Sequence, residues 1–244
     1  MARALAGAML AVAVAAYAVE GGHAEERRHV DVVEMFTSQA CSACPPADEL
    51  LGELAQEDGI LALSYSVDYW NYLEWEDTLA DPDFSARQRA YAKQRGDRKV
   101  FTPQAIINGR VHAVGSDRRA IAKARAATGQ GDAPTASLSA TRTDPSTLAI
   151  EIDAASDELE IDEATLWLVV YVDSRTVKVR AGENKGRMLT YHNVVRRVRP
   201  IARWTGEALR TSIAAPEIAG KRCAVLLQEG GTKLPGRILA ADRL

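Results

Sequence analysis

Two cysteines, Cys41 and Cys44, stand two residues apart at the point where one kind of sequence pattern gives way to another. The preceding residues 29–36 are β-branched and apolar enough to form a buried strand. Two prolines follow directly, as suits a first helical turn, and apolar residues then recur on one helical face as far as Gly59. The pattern therefore predicts a strand, a dithiol turn and a helix, with Cys44 in or beside the first turn of that helix.

This placement favours a redox-active pair of cysteines over a purely structural disulfide. A Cys-x-x-Cys pair closes too short a loop to be a strong staple. The thiolate is the nucleophile in thiol–disulfide exchange, and a helix N-terminus stabilises an anion placed there. Cys41 precedes the helix, and we expect it to be the more exposed cysteine and the attacking thiol. Cys44 would then resolve the mixed disulfide.

The pattern predicts further elements up to residue 128. After the first helix come a strand over 60–67, a helix over 85–94 ended by Gly96, a hairpin turning at Asn108 and Gly109, and a last helix capped by Asp117. Residues 129–134 have the composition of a linker, and alternation of apolar and polar residues dominates beyond it. We therefore expect an α/β domain over 29–130 and a smaller, mostly-β domain, resembling an antiparallel sandwich, over 131–244.

The N-terminus has the pattern of an export signal. A positively charged start is followed by an apolar run to Val19, and small residues near Ala24 suit cleavage, which predicts a signal peptide over 1–24. An uncleaved membrane anchor is the alternative. We expect the mature protein to be periplasmic or secreted, where disulfides persist, with no stable membrane span.

Charge and composition limit the partners. The chain has 30 basic and 33 acidic side chains with no basic cluster, so nucleic acid is not an expected partner. Nothing in the sequence indicates a cofactor. We expect the partners to be protein or small-molecule thiols and disulfides.

The order of these elements resembles the thioredoxin fold, in which a cis-proline loop lies beside the dithiol, and Thr102 with Pro103 matches that loop. Longer segments resemble the exported bacterial family called domain of unknown function 1223: 34–48 (EMFTSQACSACPPAD), 67–73 (VDYWNYL), 101–104 (FTPQ), 114–118 (VGSDR) and 189–195 (LTYHNVV). The resemblance runs over nearly the whole mature chain. It implies that the α/β domain is thioredoxin-like and that Thr102 and Pro103 shape the edge that meets a substrate.

Other candidates surround the dithiol. Glu34 interrupts an apolar strand, and burial would make it a possible proton acceptor for Cys44; pairing with a basic side chain is the alternative. Asp68 competes for the same role. Tyr69 and Trp70 either form an apolar rim for a substrate or fill the core.

Two functions remain open. The first is an exported thiol–disulfide oxidoreductase acting through Cys41 and Cys44. The second is a non-catalytic binding module, braced by a static disulfide or holding a soft metal ion or a protein partner. No two of the four histidines are spaced as a ligand pair, so the sequence predicts no complete metal site. Cys223 lies among apolar residues, and we expect it to be a buried structural thiol.

Overall fold

A computed structural model describes residues 30–72, 75–129, 136–156 and 159–244. The predicted signal peptide and the predicted boundary at 130 and 131 lie outside these residues. Within them the chain forms eleven strands, three α-helices and one short 3-10 helix. No helix in this part of the chain is both long and apolar enough to cross a membrane.

The elements follow one another in this order along the chain: β1 (Asp31–Thr37), α1 (Pro45–Leu54), β2 (Ile60–Ser66), α2 (Pro82–Arg95), β3 (Gln104–Ile107), β4 (Val111–Val114), α3 (Arg118–Thr128), β5 (Leu138–Asp144), β6 (Thr147–Ile152), β7 (Ala164–Lys178), β8 (Met188–Trp204), β9 (Leu209–Ala214), the 3-10 helix (Pro216–Ile218), β10 (Arg222–Glu229) and β11 (Ile238–Arg243).

Local sequence signals account for the elements up to residue 128. Gly96 ends α2 in the left-handed region, with φ of 75°, and the Asp117 side chain caps the N-terminus of α3. Asn108 and Gly109, with φ of 50° and 69°, form the turn between β3 and β4. The predicted succession of strand, helix, strand, helix, hairpin and helix is confirmed.

The predicted fold class, an α/β thioredoxin-like domain followed by a small sandwich, is wrong. The protein is mostly β, and its main sheet has eight strands in the order β11-β10-β7-β8-β2-β1-β3-β4. Strand β8 joins the sheet in parallel to β2, through Ser64 and Val194. Strands from both halves of the chain thus form one mixed sheet, because the open edge of β2 is covered by a strand more than 120 residues further on. Local periodicity identifies strands but does not say which of them pair.

Helices cover both faces of the sheet around β1. On one face Val33 and Met35 pack against apolar residues of α1 and α3. On the other face Phe36 packs in a core with Phe84 and Tyr91 of α2. This alternation along β1 follows the two-residue period of a strand.

A second sheet, in the order β5-β6-β9, packs over another part of the main sheet. Apolar residues of β5 and β6 contact those of β7 and β10 in this core. Cys223 of β10 lies within it and is fully buried, as predicted.

Strands β7 and β8 form a long antiparallel hairpin. Its strands have 15 and 17 residues and pair from Ala164 with Trp204 to Lys178 with Met188. At the far end of this hairpin, Val179, Leu189 and Tyr191 form a small core with Leu79. The loop of residues 179–187, which we call the hairpin loop, is thereby brought to the start of α1.

Candidate redox site

Cys41 and Cys44 are joined in a disulfide, with their Cα atoms 5.4 Å apart. Cys44 is the N-cap residue of α1, and Pro45 with Pro46 opens the helix, as predicted. Cys41 is only 2% exposed and Cys44 is 0% exposed. Cys41 is thus the slightly more exposed of the two, but both residues are buried, and the exposed part of the motif is the pair of residues between the cysteines.

The turn before Cys41 is held by Gln39. Its main-chain N–H donates to Asp77 Oδ2 at 2.7 Å, and its side-chain Oε1 accepts from Trp75 Nε1 at 2.9 Å. Gln39 Nε2 also donates to Thr78 Oγ1 at 3.2 Å. These contacts fix the path of the chain from β1 into the disulfide.

The loop of Thr102 and Pro103 lies against the disulfide. The peptide bond between these residues is cis. The Thr102 carbonyl oxygen lies 3.7 Å from Cys41 Sγ, and the Thr102 hydroxyl accepts a hydrogen bond from Trp70 Nε1 at 2.8 Å. The structure thus brings together Cys41, Thr102 and Trp70, which the sequence had assigned to one site.

Tyr69 and Trp70 have different surroundings. The Tyr69 hydroxyl donates to Gln88 Oε1 of α2 at 3.1 Å, and burial raises the pKa of Tyr69 to about 12. The Trp70 ring stacks with the ring of Tyr72, which is 74% exposed, at a centroid separation of 6.4 Å. Trp70 and Tyr72 therefore offer aromatic surface near the Thr102 loop, whereas Tyr69 is tied to α2.

Glu34 is fully buried on the face of β1 opposite to α1. Its Oε1 accepts from Arg87 Nε at 2.7 Å, and its Oε2 accepts from the Tyr91 hydroxyl. Arg87 Nη2 donates in turn to Gln228 Oε1 of β10 at 3.0 Å. Pairing with a basic side chain, the alternative left open by the sequence, is thus observed. The role of Glu34 as a proton acceptor stays a prediction.

Asp68, the competing acid, binds a neighbour on α2. Its carboxylate accepts from the Ser85 hydroxyl, and its main-chain N–H donates to Ser85 Oγ at 3.1 Å.

Asp48 is an acid beside the disulfide that the sequence analysis did not single out. It lies in the first turn of α1, is 4% exposed, and donates its main-chain N–H to the Cys44 carbonyl oxygen at 3.1 Å. Burial raises the pKa of Asp48 well above its ordinary value; the Thr37 hydroxyl opposes this, and the charges of Asp77 and Glu49 add to it. A carboxyl four residues after a cysteine, within an otherwise apolar helix face, was the available signal.

The hairpin loop covers the dithiol turn, which local patterns did not reveal. Asn184, 2% exposed, donates from Nδ2 to the carbonyl oxygens of Gln39 at 3.0 Å and Cys41 at 2.8 Å. Glu183 Oε2 accepts from the Ser42 main-chain N–H at 3.1 Å, and hydrogen bonds from the Ser42 side chain and backbone lower the pKa of Glu183. The sequence Gly-Glu-Asn-Lys-Gly over 182–186 indicates a turn, but it does not indicate that this turn contacts the segment around Cys41.

Among the residues that the structure describes, no group of three or more His, Cys, Asp and Glu side chains is placed to hold a metal ion.

The thiol of Cys223 receives a hydrogen bond from Arg142 Nη2 at 3.4 Å, and burial raises the pKa of this thiol despite the nearby guanidinium.

Fold and site together define a mostly-β protein with a buried Cys-x-x-Cys disulfide at a helix start, against a cis-proline loop. The chain belongs to the family described as "Protein of unknown function (DUF1223)", which it matches over residues 32–228. The family resemblance drawn from the sequence is confirmed, whereas the thioredoxin-like assignment is not.

One solved structure is similar over most of its length. It is the X-ray crystal structure of a protein from Agrobacterium tumefaciens, a target of the Northeast Structural Genomics Consortium. The two sequences are 34% identical, the match covers 88% of this chain and 94% of the other, and the TM-score is 0.74. No curated protein matches the chain.

Proposed function

We propose that the protein is a thiol–disulfide oxidoreductase whose redox centre is Cys41 and Cys44. The observation that carries the proposal is the position of the disulfide. It lies at the N-terminus of α1, with Cys41 Sγ 3.7 Å from the Thr102 carbonyl oxygen. A helix start stabilises a thiolate there, and a neighbouring backbone carbonyl offers a hydrogen-bond acceptor to a partner chain.

The reaction is a two-electron exchange. A substrate thiolate attacks Cys41 Sγ, the Cys41–Cys44 bond breaks, and Cys44 leaves as a thiolate that takes up a proton. A second substrate thiolate then attacks the substrate sulfur of the mixed disulfide and releases Cys41. The substrate dithiol is oxidised and the protein disulfide is reduced; the reverse sequence reduces a substrate.

Access to Cys41 requires movement. Only 2% of the residue is exposed, and the hairpin loop binds the turn on either side of it through Asn184 and Glu183. Ser42 and Ala43 remain exposed, so a partner can meet the motif before the loop shifts. We propose that displacement of the hairpin loop precedes attack on Cys41.

An equilibrium titration in glutathione buffers, with thiols alkylated and counted by mass spectrometry, tests the proposal. A Cys223→Ala variant removes the third thiol and should give the same curve. We expect a reversible two-electron transition of Cys41 and Cys44 in the folded protein. Reduction that occurs only in denaturant would contradict an oxidoreductase.

The burial of both sulfurs favours a second candidate, a non-catalytic binding module in which the disulfide braces the turn before α1. Such a module would keep its disulfide throughout the native titration. Its variant with both Cys41 and Cys44 replaced by Ala would unfold at a lower urea concentration than the wild type. That variant would still bind the partner of the wild-type protein.

We also propose that the protein is exported to the periplasm or secreted. The charged and apolar N-terminal segment supports this. Cell fractionation followed by N-terminal sequencing of the mature chain is the test. A start near residue 25 in the extracytoplasmic fraction is expected, and an intact N-terminus in the cytosol would contradict the proposal.

A further inference from the structure

Asp48 lies one helical turn after Cys44 on the same side of α1. Its main-chain N–H donates to the Cys44 carbonyl oxygen at 3.1 Å, and both residues are buried. Side chains four residues apart on a helix are neighbours, with Cβ atoms about 5–6 Å apart. Helical side chains also lean toward the N-terminus. This spacing puts the Asp48 side chain on the same face of α1 as Cys44 and directs it toward the turn that contains Cys44.

Among the described residues, neither carboxyl oxygen of Asp48 makes a hydrogen bond of full geometry, and the hydroxyls of Thr37 and Tyr191 make none either. The Thr37 hydroxyl acts on this carboxyl only as a weak donor, which lowers the pKa of Asp48. Leaving a buried polar group unsatisfied costs free energy. A buried acid that is not used to hold the fold together calls for another explanation.

The surroundings favour the protonated acid. Thr37 at the end of β1, Asp77 in the segment before α2 and Tyr191 of β8 lie close to Asp48, and its exposed neighbour Glu49 acts on it through its charge. Two of these four groups are acids, and the nearby cation Arg187 acts on Tyr191. Burial, opposed by the Thr37 hydroxyl and reinforced by the two acids, raises the pKa of Asp48 well above its ordinary value.

We propose that Asp48 gives a proton to Cys44 when the disulfide opens and takes it back when the disulfide closes. On opening, the electron pair of the broken S–S bond stays on Cys44 Sγ, which receives the Asp48 proton, and Asp48 becomes a carboxylate. On closing, that carboxylate removes the Cys44 proton as the sulfur attacks Cys41 of the mixed disulfide and expels the substrate thiolate. The inference rests on the proposed oxidoreductase function.

The test is the rate at which dithiothreitol reduces the Cys41–Cys44 disulfide in the full-length protein. Asp48→Asn keeps the shape of the side chain but not the exchangeable acid proton. General acid catalysis contributes on the order of 10²-fold or more. We expect reduction of Asp48→Asn to be slower by about 10²-fold at low pH. The difference should shrink toward one as the pH rises through the pKa of Asp48, because the wild-type acid is then already ionised.

Matched variants separate this role from a structural one. Glu49→Gln changes the adjacent exposed acid, which acts on Asp48 only through its charge, and should leave the rate at low pH, where Asp48 is protonated in both proteins, as in the wild type. Asp48→Glu keeps a carboxyl, and its rate of reduction should lie between those of Asp48→Asn and the wild type. Urea unfolding shows whether each variant is folded. If Asp48→Asn does not fold, the rate of Asp48→Glu relative to the wild type provides the test. If the wild type and Asp48→Asn are reduced at the same rate at every pH, the inference is overturned. It is also overturned if Glu34→Gln, and not Asp48→Asn, shows the pH-dependent loss of rate.

The two proposals fail in different ways. If the disulfide is never reduced in the native wild-type protein, the oxidoreductase function fails and the Asp48 inference falls with it. If the wild type titrates reversibly while Asp48→Asn matches its rate and pH profile, only the Asp48 inference is overturned.

Discussion

Asn184 donates a 2.8 Å hydrogen bond from its side-chain amide to the main-chain carbonyl oxygen of Cys41, across 143 residues of sequence. A second bond from the same nitrogen reaches Gln39, and Arg187 Nη1 donates to Asn184 Oδ1 at 2.9 Å. The amide therefore has a fixed orientation. It links the hairpin loop to the dithiol turn. Movement of the hairpin loop should therefore change the solvent accessibility of Cys41.

Replacing Asn184 with Ala should loosen this link. The carbonyl oxygens of Gln39 and Cys41 lose their donor, and such a loss costs about 1–3 kcal/mol. Urea unfolding measures that loss. If the same contacts oppose loop opening, the disulfide should be reduced by dithiothreitol about tenfold faster, since 1.4 kcal/mol is a factor of ten. Lys185→Ala, an exposed change in the same loop, is the control, and an equal rate in both variants would contradict the coupling.

Glu183 makes the contact at Ser42 dependent on pH. Its folded-state pKa is lowered by the Ser42 hydrogen bonds, so its contribution is present above the ordinary carboxyl pKa of about 4.3 and is lost as the pH falls through the folded value. We expect Glu183→Gln to be reduced faster than the wild type at neutral pH, by about two- to fivefold for an exposed charge.

The check is the ratio of the two rates, measured with a phosphine reductant that acts in acid and whose own pH dependence cancels. The ratio should fall to about one once wild-type Glu183 is protonated. It should also fall in high salt, which screens exposed charges. A ratio that does not change with pH would show that the Glu183 charge does not hold the loop.

The buried pair of Glu34 and Arg87 should matter for stability. Arg87→Ala leaves Glu34 buried without its cation, and breaking a buried pair in this way costs about 3–5 kcal/mol. Urea unfolding measures the change. The double variant Glu34→Gln with Arg87→Met removes both charges and should lie closer to the wild type. A loss below about 1 kcal/mol in Arg87→Ala would contradict the assignment.

Gly115 lies close to the Pro103 loop, to α1 and to Met35 of β1. A Cβ at Gly115 would overlap Met35 Sδ and lie 2.9 Å from Pro103 Cβ and 3.1 Å from Ala47 Cβ. We expect Gly115→Ala to destabilise the protein by about 1–3 kcal/mol through overpacking. Adding Met35→Ala should recover part of the loss, because it frees space for the new methyl group. Additive effects of the two changes in urea unfolding would contradict direct contact.

The elements up to residue 128 could be predicted because their signals are local. Strand β1 is β-branched, α1 starts at two prolines after Cys44, and the turn at Asn108 and Gly109 suits left-handed backbone. The same patterns led to the wrong fold class, an α/β thioredoxin-like fold, because no local signal in β8 indicates that it pairs with β2. Pairing is set by burial and register, which depend on distant residues.

In the candidate site too, some features follow from local sequence and others depend on residues far apart in the chain. The place of Cys41 and Cys44 at a helix start followed from their spacing and the prolines, and the resemblance of Thr102 and Pro103 to a cis-proline loop placed them beside the dithiol. Glu34 was recognised as a buried acid, but its partner Arg87 lies 53 residues away.

The sequence by itself thus determined the order of the local elements and the position of the dithiol at the start of α1, because capping, turn and periodicity preferences act over a few residues. Only the tertiary structure decided that one mixed sheet unites both halves of the chain, and that a loop between β7 and β8 binds the turn that contains Cys41. Those outcomes depend on contacts between residues far apart in the chain, such as Asn184 with Cys41, whose free energy has no local sequence signature.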